Sequence, residues 1–255
     1  MKVFKKVLII VLSVILVAVT GIFALWHNEI ATVASITTII DQDLAHDDGY
    51  TYEMNVSGEY YFDDFLKQGG VSSDEELIQF ITGNITKGVI PMTIKTKEIA
   101  CSSFTAWTKD HQFVFGRNYD FDETNTAIVH TNPKGRHASV STIDLQFLGI
   151  DEKTGITGIK DKALLLAAPY IPLDGINDAG VACGIYMTYQ GEPTSPTNQN
   201  TEKPDITSTT LLRLILDYAD SVEEAIELAS QYDMHDSAGT SYHSMVADKE
   251  GNSAV

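Results

Sequence analysis

Two short alternating runs, Ser103–Trp107 and Gln112–Gly116, flank Thr108-Lys109-Asp110-His111. This pattern commits the middle of the chain to a β-hairpin. Folding about a turn near Lys109–His111 brings Cys101 level with Asn118–Asp120, where direct cross-strand neighbours lie roughly 5 Å apart. A thiol, a guanidinium (Arg117) and a carboxylate (Asp120) therefore converge at one end of the hairpin. The pattern leaves the register open by one residue, and the convergence holds in either register.

The N-terminus carries the second constraint. Lys2, Lys5 and Lys6 precede an uncharged apolar run, Val7–Trp26, which is long enough to cross a bilayer as a helix. A secretory signal has a shorter apolar stretch and a nearby small-residue cleavage site. Here the one candidate site, Thr32-Val33-Ala34, lies well beyond the run. The expectation is an uncleaved signal anchor over residues 1–27, with a removed signal as the alternative. Lysines before the span and acids after it put the N-terminus inside and the chain from Asp41 onward outside. The protein would then be a single-pass membrane protein with its main body extracytoplasmic, or a secreted one if the signal is removed.

Over 255 residues the apolar fraction is 44%, enough for a sizeable core, and the net charge is −18. An excess of negative charge repels phosphates and argues against a nucleic-acid partner. Part of the acidity is local, with eleven Asp/Glu against the single Lys67 between Asp41 and Glu76. This reads as a solvated acidic stretch.

Residues 28–100 read as a stalk and prosegment. Asn28–Gly49 has weak periodicity and suggests a short stalk or helix. Tyr60, Tyr61, Phe62 and Phe65 give Tyr50–Ala100 aromatic material to bury, and Ser73 with Glu76 forms a capping-box signal for a helix. The main domain is expected to open at Cys101 and run to Val255. In it Ser139–Leu148 and Ala163–Tyr170 read as strands, Asp174–Gly180 as a turn, and Val181–Thr188 as a buried strand. Gly191–Pro204 reads as a polar loop. Thr209–Ala219 and Ser221–Ser230 read as helices, the second opened by a Ser221/Glu224 capping box, and Tyr242–Val255 as a hairpin. A domain seldom ends on a bare apolar strand, so the chain reads as C-terminally truncated.

A cysteine attacks an amide carbonyl as thiolate, and a free thiol has a pKa of about 8.5. It needs a base, and no histidine stands at a spacing that pairs it with Cys101. The alternative is the cysteine's own α-amine, which ordinarily titrates at about 7.7–8.0. That requires Cys101 to become the first residue of a mature chain through cleavage between Ala100 and Cys101. Arg117 would then complement the thiolate with a permanent positive charge, and Asp120 would orient the amine.

Cys-Ser-Ser-Phe from Cys101, Gly116-Arg117-Asn118-x-Asp120, Asp174-Gly175-Ile176-Asn177-x-x-Gly180, the Ser221-Val222-Glu223-Glu224-Ala225 helix and Ala247-Asp248-Lys249-x-Gly251-Asn252-Ser253 occur in the order seen in the choloylglycine hydrolase family. Over Cys101–Val255 the chain resembles these linear-amide C–N hydrolases, which include bile salt hydrolases and penicillin V acylases. The resemblance implies an α+β, N-terminal nucleophile hydrolase fold, an αββα four-layer sandwich that is incomplete in this chain. It implies Cys101 as nucleophile with Arg117 and Asp120 beside it, and Asn118 as a further contact. It also implies a pocket residue after the Asp-Gly-Ile-Asn turn that contributes to oxyanion or substrate contacts. Gapless alignment puts Met187 there, and a one-residue shift puts Tyr186. The polar loop at 191–204 matches a pocket-edging loop of the family. The family's later oxyanion asparagine and arginine would fall beyond Val255. The implied partner is a small-molecule acyl amide such as a conjugated bile salt or penicillin V, with no cofactor and no metal. The sequence leaves homo-oligomer formation open.

Blander readings stand beside this one. Cys101 alone is as readily a buried structural cysteine, or half of a disulfide with Cys183. Arg117 and Asp120 alone could be a structural ion pair. Asp120-Phe121-Asp122 resembles the start of a calcium loop, but its sixth position is Asn125, not glycine. A membrane-anchored binding module of the same fold, catalytically inactive, is the alternative function.

Overall fold

A computed structural model describes residues 2–43, 49–95, 100–120, 124–151, 153–188, 197, 199 and 201–255. It is a mixed α+β structure. The first helix, α1 (Lys2–Ser35), continues past the apolar run and breaks its regular geometry at Trp26. The stretch from Asn28, expected to be a short stalk or helix, is helical to Ser35 and then forms β1 (Thr37–Ile40). Next come β2 (Thr51–Asn55), α2 (Phe62–Lys67) and α3 (Asp74–Asn84). Ser73 caps α3 as its sequence indicates, its side chain accepting from the Glu76 amide. The hairpin then forms from β3 (Ala100–Trp107) and β4 (Phe113–Asp120).

The rest of the chain contributes β5 (Thr126–Thr131), β6 (Ser139–Asp144), α4 (Ile159–Leu164), β7 (Asp174–Asn177) and β8 (Ala182–Met187). After these come β9 (Asp205–Thr207), α5 (Ser208–Tyr218), α6 (Val222–Ser230), β10 (Asp233–His235), β11 (Tyr242–Ala247) and β12 (Ser253–Ala254). Among the described residues, eight strands form one sheet in the order β1-β2-β5-β6-β7-β8-β11-β12, and β3-β4 and β9-β10 form two small sheets.

Three expectations are corrected. Ala163–Tyr170 is not a strand: α4 ends at Leu164 and a 3₁₀ turn runs from Leu165 to Tyr170. The run is apolar on every side and fully buried, so it has no period to separate strand from helix. The strand from Ser139 stops at Asp144, whose carboxylate accepts from the Gln146 amide at 2.8 Å and caps a 3₁₀ turn. Asp174–Asn177 is a strand, paired with β6 on one side and β8 on the other, and the turn is confined to the residues before Gly180. The loop at 191–204 lies largely outside the described residues.

Residues before Cys101 are built into the main sheet. β2 pairs in parallel with β5 from Thr51↔Thr126 to Asn55↔His130, and β1 adds to its outer edge. Phe62, Phe65 and Phe80 pack around Tyr170 with ring centroids 5.8–5.9 Å from its own. The Tyr60 hydroxyl donates to the Asp217 carboxylate at 2.6 Å. That buried carboxylate also takes Arg136 Nη1 at 2.7 Å and stands 2.9 Å from Arg213 Nε. Arg213, buried completely, donates through Nη2 to Ser139 Oγ at 2.7 Å. Removing one partner of such a set leaves an uncompensated charge in the core. Asp217→Ala should therefore cost about 3–5 kcal/mol, read as a lower denaturation midpoint in urea. A protease site inserted at 96–99 and cut in the folded protein should leave both pieces eluting together on size exclusion. Their separation in neutral buffer would show that this shared core does not hold them.

Candidate active site

The hairpin register is Cys101↔Tyr119, Ser102↔Asn118 and Ser103↔Arg117. Side chains alternate along a strand, and directly opposed residues share a face. Cys101, Ser103 and Arg117 thus lie on one face, and Ser102, Asn118 and Asp120 on the other. The first face turns toward β8, the second outward.

Arg117 organises the inner face. Its guanidinium donates through Nη1 to the Leu173 carbonyl and through Nη2 to the Ile185 carbonyl. Nη2 also points to Cys101 Sγ at 3.5 Å, within reach for a sulfur acceptor. Nε stands 3.7 Å from the Asp174 carboxylate, and Cζ lies 4.7 Å from the centre of the Tyr186 ring, a cation–π distance. Asp174 faces Gly184 across the β7–β8 pairing and accepts from Thr142. Burial pushes its carboxyl up, against the pull of the Thr142 hydroxyl and Arg117. A fixed positive charge therefore sits beside the sulfur, held by carbonyls that cannot move without breaking the sheet.

Space for this guanidinium comes from a glycine. A Cβ on Gly184 would overlap Arg117 Nη1. A glycine inside a buried strand marks such a close approach, which is the signal in VACGIYM that the sequence reading passed over. Asp174 and the carbonyls of Leu173 and Ile185 were missed too. Asp174 was read as a turn residue, and backbone acceptors leave no mark in side-chain chemistry.

The structure separates the other predicted residues. On β8 the alternation puts Tyr186 with Gly184, on the Arg117 face, and Met187 with Cys183 and Ile185, packed against the core. Of the two alignments, only the one reaching Tyr186 names a side chain beside Arg117. The Tyr186 hydroxyl is buried without a hydrogen-bond partner among the described residues. Burial pushes its phenol up; the nearby Ser103 hydroxyl, whose own hydrogen bond goes to Met245 Sδ at 3.3 Å, pulls the other way. Asn118 and Asp120 are exposed on the outer face. Asn118 accepts from Ser102 Oγ and donates to Asp120 Oδ1 at 3.1 Å. Asp120 pairs in register with Ala100, so it stands level with the proposed cleavage position but not on the face of Cys101 Sγ.

Both cysteines are free, which removes the disulfide reading. Cys183 is fully enclosed, and burial pushes its thiol up to about 12, so it is inert at neutral pH. Asp205, Asp233 and His235 place ligand atoms within 4.8 Å of one another. These groups are already committed, however. Asp233 accepts from the Gln199 and Thr201 amides at 2.9 and 2.7 Å, and His235 bonds Asp205 at 2.7 Å.

The Gly184 contact yields a test that needs no substrate. Gly184→Ala should push the guanidinium off the sulfur and slow alkylation of Cys101 by iodoacetamide. The measurement is peptide mass spectrometry, with the melting temperature recorded to separate this effect from unfolding.

No curated protein matches the chain. Among solved structures, a mutant of conjugated bile acid hydrolase from Clostridium perfringens is 20% identical, with a TM-score of 0.41 over 60% of this chain and 46% of that one. Another variant of the same enzyme is 18% identical, with a TM-score of 0.40 over 59% and 46%. Penicillin V acylase from Agrobacterium tumefaciens is 14% identical, with a TM-score of 0.31 over 64% and 44%. The chain spans less than half the length of each. The family model for linear amide C–N hydrolases of the choloylglycine hydrolase family matches residues 101–255. That segment opens on Cys101 and is more than half of the sequence, and the chain belongs to this family.

Proposed function

We propose that this chain is the precursor of a membrane-anchored hydrolase of linear acyl amides, with Cys101 as nucleophile. The family's reaction class supports this, and the contact between Arg117 Nη2 and Cys101 Sγ carries it. The fold that goes with it is the αββα sandwich of N-terminal nucleophile hydrolases, with the β3–β4 hairpin beginning the second sheet. The apolar helix from Phe4 to Ser35 is long enough to cross a membrane; in this reading it anchors the body on the outer side.

Activation comes first. Cys101 Sγ attacks the Ala100 carbonyl carbon, the C–N bond to Cys101 breaks, and the resulting thioester is hydrolysed by water. The products are an Ala100 carboxylate and a free α-amine on Cys101. In catalysis that amine takes the thiol proton as sulfur attacks the substrate carbonyl. It then passes the proton to the leaving amine, and water releases the acyl group as a carboxylic acid. Arg117 complements the sulfur's negative charge. Asp120, one residue from the new terminus along the hairpin, orients the ammonium. Tyr186 is the candidate oxyanion or substrate contact, since its buried hydroxyl lacks a hydrogen-bond partner among the described residues. Conjugated bile salts, penicillin V and related acyl amides are the substrates to try.

In the complete protein, intact mass should show a product that begins at Cys101. Cys101→Ala should abolish that product and lower amine release from an acyl-amide panel at least about 10³-fold. An uncut chain with full activity would refute the terminal-amine mechanism; an uncut, inactive chain would favour a binding module. Arg117→Leu should impair cleavage and turnover together, whereas Tyr186→Phe should spare cleavage and reduce turnover on the order of 10²-fold, read as kcat in the same assay.

A further inference from the structure

A groove of about 550 Å³ runs along the junction of α1 with the body, between Ile22, Trp26 and Ile30 on one wall and Val89, Ile90 and Ile159 on the other. Its size falls in the range of sites that enclose small ligands. The charged and hydroxyl groups on its wall are already bonded. Glu29 takes the Tyr61 hydroxyl at 3.2 Å and stands 3.5 Å from Lys87 Nζ. Lys162 donates to the Ile36 carbonyl at 2.8 Å, and the Thr86 hydroxyl to the Ile90 carbonyl at 2.8 Å. Apart from the indole N–H of Trp26, what is left unpartnered among the described residues is hydrocarbon.

The position of the groove says what hydrocarbon fills it. Ile22 and Trp26 belong to the apolar run itself, whose side chains up to Leu25 make no contact that shields them from the surroundings. Across the groove, Val89 and Ile159 are 69% and 73% exposed. An exposed apolar rim continuous with an apolar span marks a surface that meets lipid. Trp26, where the helix geometry breaks, is the residue type that settles at the boundary between headgroups and chains.

We infer that the groove takes an acyl chain of a bilayer lipid, which seats the folded body directly on the membrane. This rests on the reading of α1 as an anchor. The occupant is a chain already in the membrane, because the groove's wall reaches Ile22, inside the span, and offers a soluble ligand only the indole N–H of Trp26.

The test uses the full chain in phosphatidylcholine vesicles that contain a phosphatidylcholine with a photoactivatable diazirine on its acyl chain. Cross-links are mapped by mass spectrometry. They are expected on peptides spanning 85–90 and 159–166 as well as on 4–25. Ala163→Trp, which fills the groove, and the double variant Val89→Asp, Ile159→Asp, which charges only its exposed rim, should each lower the first two at least fivefold and leave 4–25 unchanged. The rim variant guards against a groove-filling change that merely unfolds the protein. Cross-links confined to 4–25 would overturn the groove and keep the anchor. None anywhere would overturn both.

Discussion

The carboxylate of Asp217 is the contact on which the architecture turns. It is buried between two arginines and a tyrosine hydroxyl, and each of those partners comes from a different part of the chain. A buried charge is tolerated only when paired and hydrogen-bonded. The β5–β6 turn that carries Arg136, the strand that opens at Ser139, the helix that carries Arg213, and the segment that carries Tyr60 must all be in place before the set is complete. Residues ahead of Cys101 thus share a core with those behind it. Tyr170, ringed by Phe62, Phe65 and Phe80, repeats the link in apolar form.

The site is built the same way on a smaller scale. Arg117 is a cation inside the structure, and the carbonyls of Leu173 and Ile185 fix where it can go. These acceptors belong to the connection into β7 and to β8, so the hairpin is docked on the main sheet through the same side chain that reaches Cys101. The docking of the hairpin and the contact with Cys101 draw on one guanidinium, and Gly184 is what makes room for it.

What could be read from the sequence was what is local. The hairpin, the capping serines at 73 and 221, and the buried strand through Cys183 rest on spacings of a few residues, and the structure has them where the spacings put them. Ala163–Tyr170 failed because a wholly buried run has no amphipathic period. The parallel pairing of β2 with β5 joins residues 75 positions apart, and no local pattern encodes that. The site was legible as a set of residue types. Which of them share a face was not, because a one-residue change of register exchanges every side chain between faces. The fixed register puts Arg117 with Cys101 and turns Asp120 outward.

The connection from β2 to β5 carries the Ala100–Cys101 bond within it. Parallel neighbours need such a crossover, and it is the covalent tether that lets β2 find β5 when the chain first folds. If the proposed cleavage severs that bond, the two halves would stay interleaved, but an unfolded molecule would have to reassemble from separate strands in a concentration-dependent encounter. The mature form would then persist by the slowness of its unfolding rather than by an equilibrium it could re-enter. Its working lifetime would be set when it is made, and heat or denaturant would spend it once.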